Sequence, residues 1–106
     1  MQMTDLEQKF AQLMGSIYTR AKKEAGYNAT IFAQMLGERG AVATAKYLLN
    51  EPQVSSGFVA LYDLKRLDLT VEAQLLSHPE FWELFEEHEL DTARSWLKKY
   101  GYEVEP

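Results

Sequence analysis

Hydrophobic side chains recur at every third or fourth position along most of this chain, which is the spacing of amphipathic α-helices. The first helix covers about residues 5–23, and a capping box that joins Thr4 to Glu7 marks its start. Gly26 follows as a residue suited to a helix end. Continued to the C-terminus, the same spacing predicts an all-α fold, a single compact bundle of six or seven short helices.

Polar residues and prolines separate the later helices. A second helix carries large apolar residues between Ile31 and Leu36, and a third covers about residues 41–49. The third ends before Pro52, because the residue before a proline disfavours the α conformation. The predicted N-cap residues of the second, fourth, fifth and sixth helices are Asn28, Ser55 or Ser56, Thr70 and, in a capping box with Glu80, Ser77.

No linker, repeat or low-complexity tract interrupts this pattern. Residues 1–106 are therefore predicted to form one domain, with a loose tail over residues 103–106. The residues expected in its core are Phe10, Leu13, Ile17, Phe32, Leu36, Leu48, Phe58, Leu61, Leu76, Phe85, Leu97 and Tyr100.

Charge is distributed unevenly along the chain. Residues 1–47 hold six basic and four acidic side chains, whereas residues 48–106 hold five basic and twelve acidic ones. The net charge of −5 therefore comes from the second half. An acidic half disfavours a general affinity for nucleic acid, which depends on neutralising phosphates, but it allows a basic partner.

The chemistry that the chain can support is narrowed by what it lacks. It contains no cysteine, which excludes disulfides, thiolate zinc fingers and iron–sulfur clusters. No nucleophile elbow, P-loop or dinucleotide-binding glycine motif occurs. We therefore expect a protein that is not an enzyme and needs no cofactor. The composition, with an N-terminus that lacks an apolar signal segment, predicts a cytoplasmic location.

Carboxylates crowd the segment Glu80–Asp91. The spacing of Glu80, Glu83 and Glu87 could place three of them on one helical face, as a metal site would require. A solvated outer face, with acids near helix N-termini, is the simpler interpretation. His78 and His88 are ten positions apart, which is not the helical spacing of paired metal ligands. The sequence therefore predicts no metal site.

Two further features allow both a structural and a functional interpretation. Arg20, Lys22 and Lys23 end the first helix, where cations complement the helix dipole. Their alternative role is the basic surface of a nucleic-acid-binding domain. Trp82 lies off the helical stripe that begins at Phe81, so it either anchors an interface or fills a second face of the core.

Three segments together resemble a known family. They are the segment from Tyr27 to Met35, which begins Y-N-A-T-I-F, the segment from Gly57 to Glu72, which includes R-L-D-L-T-V-E, and the segment from Leu84 to Tyr102, which ends in Y-G-Y. They are similar to a small all-helical bacterial domain of unassigned function, found alone or attached to nuclease-like proteins of the restriction type. The similarity covers about residues 27–102. It implies an association with a defence system and brings no catalytic residues.

The most specific part of that resemblance, the stretch from Arg66 to Glu72, alternates apolar and polar residues. Its charged groups are expected to emerge together on the outer side of a tight connection. In a structural account, Thr70 caps the next helix and Asp68 bonds nearby amides. Arg66 then pairs with Asp63 or Glu72. In a functional account, Arg66, Asp68 and Glu72 form a contact patch for a partner.

With Trp82, these residues are the predicted partner-binding set of a non-catalytic protein-interaction module. Such a module would be a regulatory or inhibitory subunit whose partner is another protein. The alternative is an accessory nucleic-acid-binding domain of a nuclease system that uses Arg20, Lys22 and Lys23, or a phage-encoded inhibitor of host defence.

Overall fold

A computed structural model describes residues 3–104 of the chain. These residues form six α-helices and two 3₁₀ helices and contain no strand, which confirms the all-α class. The α-helices are α1 (Asp5–Ala25), α2 (Thr30–Arg39), α3 (Ala41–Leu49), α4 (Ser56–Asp63), α5 (Val71–Leu76) and α6 (Glu87–Lys99). The first 3₁₀ helix is Leu67–Leu69 and the second is Pro79–Leu84. In this part of the chain no helix combines the length and the apolar character that crossing a membrane would require.

The longest helix, α1, begins and ends as its sequence predicts. The Thr4 side chain accepts a hydrogen bond from the Glu7 backbone N–H, and the Glu7 carboxylate accepts one from the Thr4 N–H. Gly26 ends the helix in the left-handed conformation, at φ +67°. Inside the helix, a Cβ atom added at Gly15 would have no neighbour within 4 Å. No neighbouring element of the described chain therefore approaches closely at Gly15.

The core forms around the buried face of α1. The Phe10 ring lies edge-on to the rings of Phe81 and Phe85, with centroids 5.3 and 5.4 Å apart. Every residue of α5 is buried, so this short helix is enclosed on all sides. Of the predicted core, Phe10, Ile17, Phe58, Leu61, Leu76, Phe85 and Leu97 are buried, and Leu13, Phe32, Leu36, Leu48 and Tyr100 are half-buried.

Two predicted helix starts are wrong. Ala29, not Asn28, is the N-cap of α2, because the Asn28 side-chain oxygen accepts a hydrogen bond from the Tyr18 hydroxyl instead. At the other site Ser77 does not cap. Its hydroxyl donates to the Ala73 carbonyl, and a 3₁₀ helix follows in place of the predicted α-helix. Local side-chain bonds such as that of Ser77 compete with capping.

The start of α6 is a capping box that the sequence reasoning missed. Glu86 is the N-cap residue, and the Glu89 side chain accepts a hydrogen bond from the Glu86 backbone N–H. Beyond α6 the chain turns at Gly101, where φ is +80°. Tyr102 then packs against the core, and so does Val104, which belongs to the predicted loose tail. Residues 105–106 of that tail lie outside the described residues.

Candidate functional site

A cleft of about 270 Å³ opens between α1, α2, the start of α4 and the segment that leads into α5. Its floor is made of buried and mostly apolar side chains: Ile17, Ala21, Phe58, Leu61, Leu69, Val71 and Glu72. Its rim follows the turn into α2 from Tyr27 to Phe32 and the first residues of α4, from Ser55 to Gly57. The cleft is therefore an apolar depression with polar groups around its mouth.

Helix α2 forms one wall of this cleft and is poorly anchored. It carries Ile31, Phe32, Met35 and Leu36, yet none of its residues is buried. Ile31, predicted on the apolar face of the helix, is 69% exposed and lies at the rim. The large apolar side chains of α2 are thus partly exposed beside an apolar depression. This arrangement is typical of a binding site.

The floor of the cleft contains one carboxyl group, that of Glu72, in the first turn of α5. This residue is 2% exposed, so the expectation that it emerges with Arg66 on the outer surface is wrong. Among the described residues, no other residue donates a hydrogen bond to its carboxyl group. Burial raises the pKa of Glu72 from its ordinary value of 4.5 to about 7.

Two of the other polar groups in the cleft hold the backbone. The Ser55 hydroxyl caps α4 by accepting from the Phe58 N–H, and the Thr70 hydroxyl caps α5 by accepting from the Ala73 N–H. Both N-caps were predicted. The Tyr27 hydroxyl lies at the mouth, near the start of α4, and has no hydrogen-bond partner within residues 3–104.

Outside the cleft, Arg66 and Asp68 belong to a network of four charges. The Arg66 guanidinium group donates to both carboxylate oxygens of Asp68 at 3.0 Å and to Glu24 at 2.8 Å, and Glu24 also pairs with Arg20 at 3.0 Å. The expected pairing of Arg66 with Asp63 or Glu72 is therefore wrong. The network contains two cations and two anions, so it has no net charge.

The pKa values of this network follow from its hydrogen bonds. Arg20 and Arg66 together lower the pKa of Glu24 to about 2. The Arg66 guanidinium also lowers the pKa of Asp68 below its ordinary value, despite partial burial. The network ties the end of α1 to the first 3₁₀ helix and holds the floor of the cleft from outside. Of the predicted basic cluster, Lys22 and Lys23 are exposed next to it.

Trp82 lies apart from the cleft and is half-buried. Its indole N–H donates to the Leu75 carbonyl at 2.9 Å, and the Arg94 guanidinium lies 5.3 Å from the centre of its ring. Part of the ring faces a shallow groove that Leu97 and Tyr102 also line. Trp82 thus covers a second face of the core and leaves one edge on the surface.

The acidic segment contains one inward-facing carboxylate. Glu89 is 3% exposed and accepts hydrogen bonds from the Lys46 ammonium and the Asn50 amide, whereas Glu80, Glu83 and Glu87 are exposed. Within the described residues, no group of three or more histidine or acidic side chains could hold a metal ion. The segment presents a mostly solvated face.

No family model, curated protein or solved structure matches this chain. The resemblance based on its motifs therefore stays a prediction. A function for this chain has to be inferred from the geometry of the cleft. Sequence reasoning singled out Glu72 but placed it on the surface, and it did not identify Tyr27 or Ile31 as cleft residues. One feature of the sequence could have predicted that Glu72 is buried. The residues next to it are mostly apolar, and none of them is basic.

Proposed function

We propose that this chain is a non-catalytic protein-interaction module, a regulatory or inhibitory subunit, that binds a segment of a partner protein in the cleft. The observation that carries the proposal is the incomplete burial of α2. Its apolar residues form the wall of an apolar depression, with Ile31 69% exposed at the rim. Exposed apolar surface of this kind, bordered by polar groups, is typical of protein-binding sites.

The size of the cleft supports a partner segment as its occupant. A volume of about 270 Å³ lies just below the range of about 300–1,000 Å³ found for small-molecule and cofactor pockets. It suits one or two anchoring side chains, which commonly provide most of the binding energy of an interface.

The setting of the protein forms a further part of the proposal. The composition without cysteine favours the cytoplasm. The resemblance of the motifs suggests that the partner is a bacterial nuclease-like protein of a defence system. The nucleic-acid alternative receives little support from the geometry, because Arg20, one of its three expected cations, is paired with Glu24 in a neutral network.

Affinity capture from the native host, with the wild type and two matched variants as bait, tests the proposal. Ile31→Glu places a charge at the rim of the cleft. Leu64→Glu places the same charge at another exposed leucine-sized side chain, 45% exposed, which does not line the cleft. Neither substitution disturbs buried packing, so both variants should keep the circular dichroism spectrum and melting temperature of the wild type.

We expect a partner that the wild type and Leu64→Glu retain and that Ile31→Glu loses. Retention by all three baits would place the interaction away from the cleft and contradict the proposal. A gel-shift titration at low salt provides the comparison with the alternative. Nucleic-acid binding that weakens steeply with salt, and that Lys22 and Lys23 substitutions abolish, would favour the nucleic-acid-binding domain instead.

A further inference from the structure

The carboxyl group in the floor of the cleft is not held by any other side chain of the described residues. Glu72 is 2% exposed and lines the cleft, yet among the described residues no other residue donates a hydrogen bond to it. Burying a carboxyl group without a partner is costly, and most buried polar groups in proteins are therefore hydrogen-bonded. A donor that satisfies Glu72 would have to enter through the mouth of the cleft.

Glu89 shows how this chain satisfies a carboxylate that serves only its own structure. It is buried to nearly the same extent, 3% exposed, and it accepts hydrogen bonds from three groups: the Lys46 ammonium, the Asn50 amide and the Glu86 backbone N–H. Glu72 has no such set of donors, although its neighbours Thr70 and Gln74 each make side-chain hydrogen bonds. Of these two buried carboxyl groups, the one without such donors among the described residues is the one that lines the cleft.

The surroundings of Glu72 define the chemistry of the missing donor. The walls beside it are apolar, and Phe58 and Leu61 are both nearly fully buried. A suitable ligand group therefore has a long apolar stem with a cationic donor at its end. The ammonium group of lysine has three donors on a four-carbon stem, whereas the guanidinium group of arginine brings five donors. The cleft offers one carboxyl group and the Tyr27 hydroxyl as acceptors. These acceptors match the three donors of a lysine ammonium group better than the five donors of an arginine guanidinium group.

We propose that the cleft accepts a lysine side chain of the partner segment, with the methylene groups along Phe58 and Leu61 and the ammonium group on the Glu72 carboxylate. This inference rests on the proposed function, that a partner segment occupies the cleft. It adds the identity of the anchoring residue. Apolar residues beside that lysine would cover Ile31 and the rest of the α2 wall.

Binding of this kind depends on pH. Glu72 and Tyr27 are the residues with ionisable side chains that line the cleft, and the other polar lining residues, Asn28, Thr30, Ser55, Ser56 and Thr70, are uncharged. Because the ammonium group requires an ionised carboxylate and the pKa of Glu72 is about 7, affinity should be about tenfold lower at about pH 6 than at about pH 8.

A displayed library of random linear peptides, selected against the full chain, tests the inference with defined ligands. Enriched peptides without histidine are synthesised, and their affinities are measured for the wild type, Glu72→Gln, Ile31→Glu and the exposed control Glu83→Gln. Each lysine is also replaced by norleucine, which keeps most of the apolar stem and removes the ammonium group. Glu72→Met provides a second floor variant, uncharged and with only a weakly accepting thioether sulfur.

We expect enriched peptides to contain a lysine flanked by apolar residues. Replacement by norleucine should weaken binding to the wild type about tenfold or more, and it should cause little further loss in Glu72→Gln, because both changes remove the same ion pair. Glu83→Gln should bind like the wild type, and Ile31→Glu should bind weakly.

The remaining outcomes separate the two proposals. Peptides that require Ile31 but are insensitive to Glu72→Gln and to norleucine would overturn the lysine assignment and leave the cleft as the binding site. Enrichment of arginine in place of lysine would also overturn it. Peptides that bind Ile31→Glu as well as the wild type, or a library that yields no binder, would contradict the proposed function and the lysine assignment together.

Discussion

At the scale of single residues, the two buried glutamates have opposite electrostatic surroundings. Burial alone would raise the pKa of both. In Glu89 the hydrogen bonds from the Glu86 N–H, Lys46 and Asn50 outweigh burial and lower the pKa below its ordinary value. In Glu72 burial dominates, and the pKa rises to about 7. Donors around a buried carboxylate can therefore offset its desolvation and keep it charged at neutral pH.

The raised pKa of Glu72 predicts how its replacement changes stability with pH. Because the folded state binds this proton more tightly than the unfolded state does, protonation of Glu72 stabilises the fold. The stabilisation is complete below about pH 4.5 and is lost as the pH rises through about 7. Glu72→Gln should therefore match the wild type near pH 4 and exceed its free energy of unfolding by about 3 kcal/mol near pH 8.5.

Urea unfolding of both proteins at the two pH values measures this difference. Glu83→Gln, an exposed change of the same kind, corrects for the lost charge. A constant difference between wild type and Glu72→Gln across the pH range would mean that Glu72 is not desolvated in solution. Gain of stability with loss of peptide binding would be the usual compromise between stability and function.

The sequence pattern around Glu72 shows which part of such a site is predictable. Alternation identified Leu67, Leu69 and Val71 as inward-facing, and all three are buried. The same alternation predicted that Glu72 is exposed. An alternating pattern shows which side chains share one face of a segment, but it does not show whether another element also covers the opposite face. Here α5 is enclosed on all sides, and that enclosure depends on elements far away in the chain.

At the scale of elements, Thr70 joins the first 3₁₀ helix to α5 and so sets the position of Glu72. Its hydroxyl accepts from the Ala73 N–H at 3.1 Å and donates to the Leu67 carbonyl at 2.7 Å. The side chain is buried, so neither partner could turn to water if the hydroxyl were removed.

We expect Thr70→Ala to lower the free energy of unfolding by about 2 kcal/mol, because the N-cap is lost and the Ala73 N–H is left unsatisfied, whereas the Leu67 carbonyl keeps its bond from the Thr70 backbone N–H. Thr70→Ser keeps the hydroxyl and should recover most of the loss. Thr92→Ala removes a hydroxyl that donates within α6 and caps nothing, so it should cost less than about 0.5 kcal/mol. Equal losses for Thr70→Ala and Thr70→Ser would indicate that the methyl group, and not the cap, matters.

Capping also shows the limit of prediction for whole elements. Thr4, Ser55 and Thr70 cap helices as their positions in the sequence predict. Asn28 has the same intrinsic preference but bonds Tyr18, ten residues earlier, and Glu86 occupies the N-cap position of α6 although glutamate is not a favoured N-cap residue. A predicted cap fails when its side chain has another partner, which is local for Ser77, the Ala73 carbonyl, and distant for Asn28, the Tyr18 hydroxyl.

At the scale of the whole molecule, Glu89 connects α6 to α3 across the bundle. Its contacts with Lys46 and Asn50 span 43 and 39 positions of sequence. The all-α class was predictable from helical periodicity alone, whereas this pairing of α3 with α6 was not. Charge spacing along a single helix contains no information about a partner on another helix.

Glu89→Ala should destabilise the fold by about 2–4 kcal/mol, because it removes three hydrogen bonds and leaves Lys46 without its partner. The lowered pKa of Glu89 means that its contribution is present above about pH 4.5 and is lost as the pH falls below that value. Chemical unfolding near pH 7 and near pH 3 should therefore show a large loss at the higher pH and a small one at the lower. Glu87→Ala, with a largely exposed side chain, is the control.

The weak anchoring of α2 has a consequence for hydrogen exchange. A helix without a buried side chain opens locally at a lower free energy than one such as α5, whose side chains are all buried. Backbone amides of α2 should therefore exchange with deuterium faster than those of α1, α5 and α6, and an occupied cleft should slow them. Ordering of α2 on binding then costs free energy, which lowers the net affinity for the ligand. Gly37→Ala, at an exposed helical position with no neighbour within 4 Å of the added Cβ, should slow exchange in α2 and strengthen binding without touching the ligand.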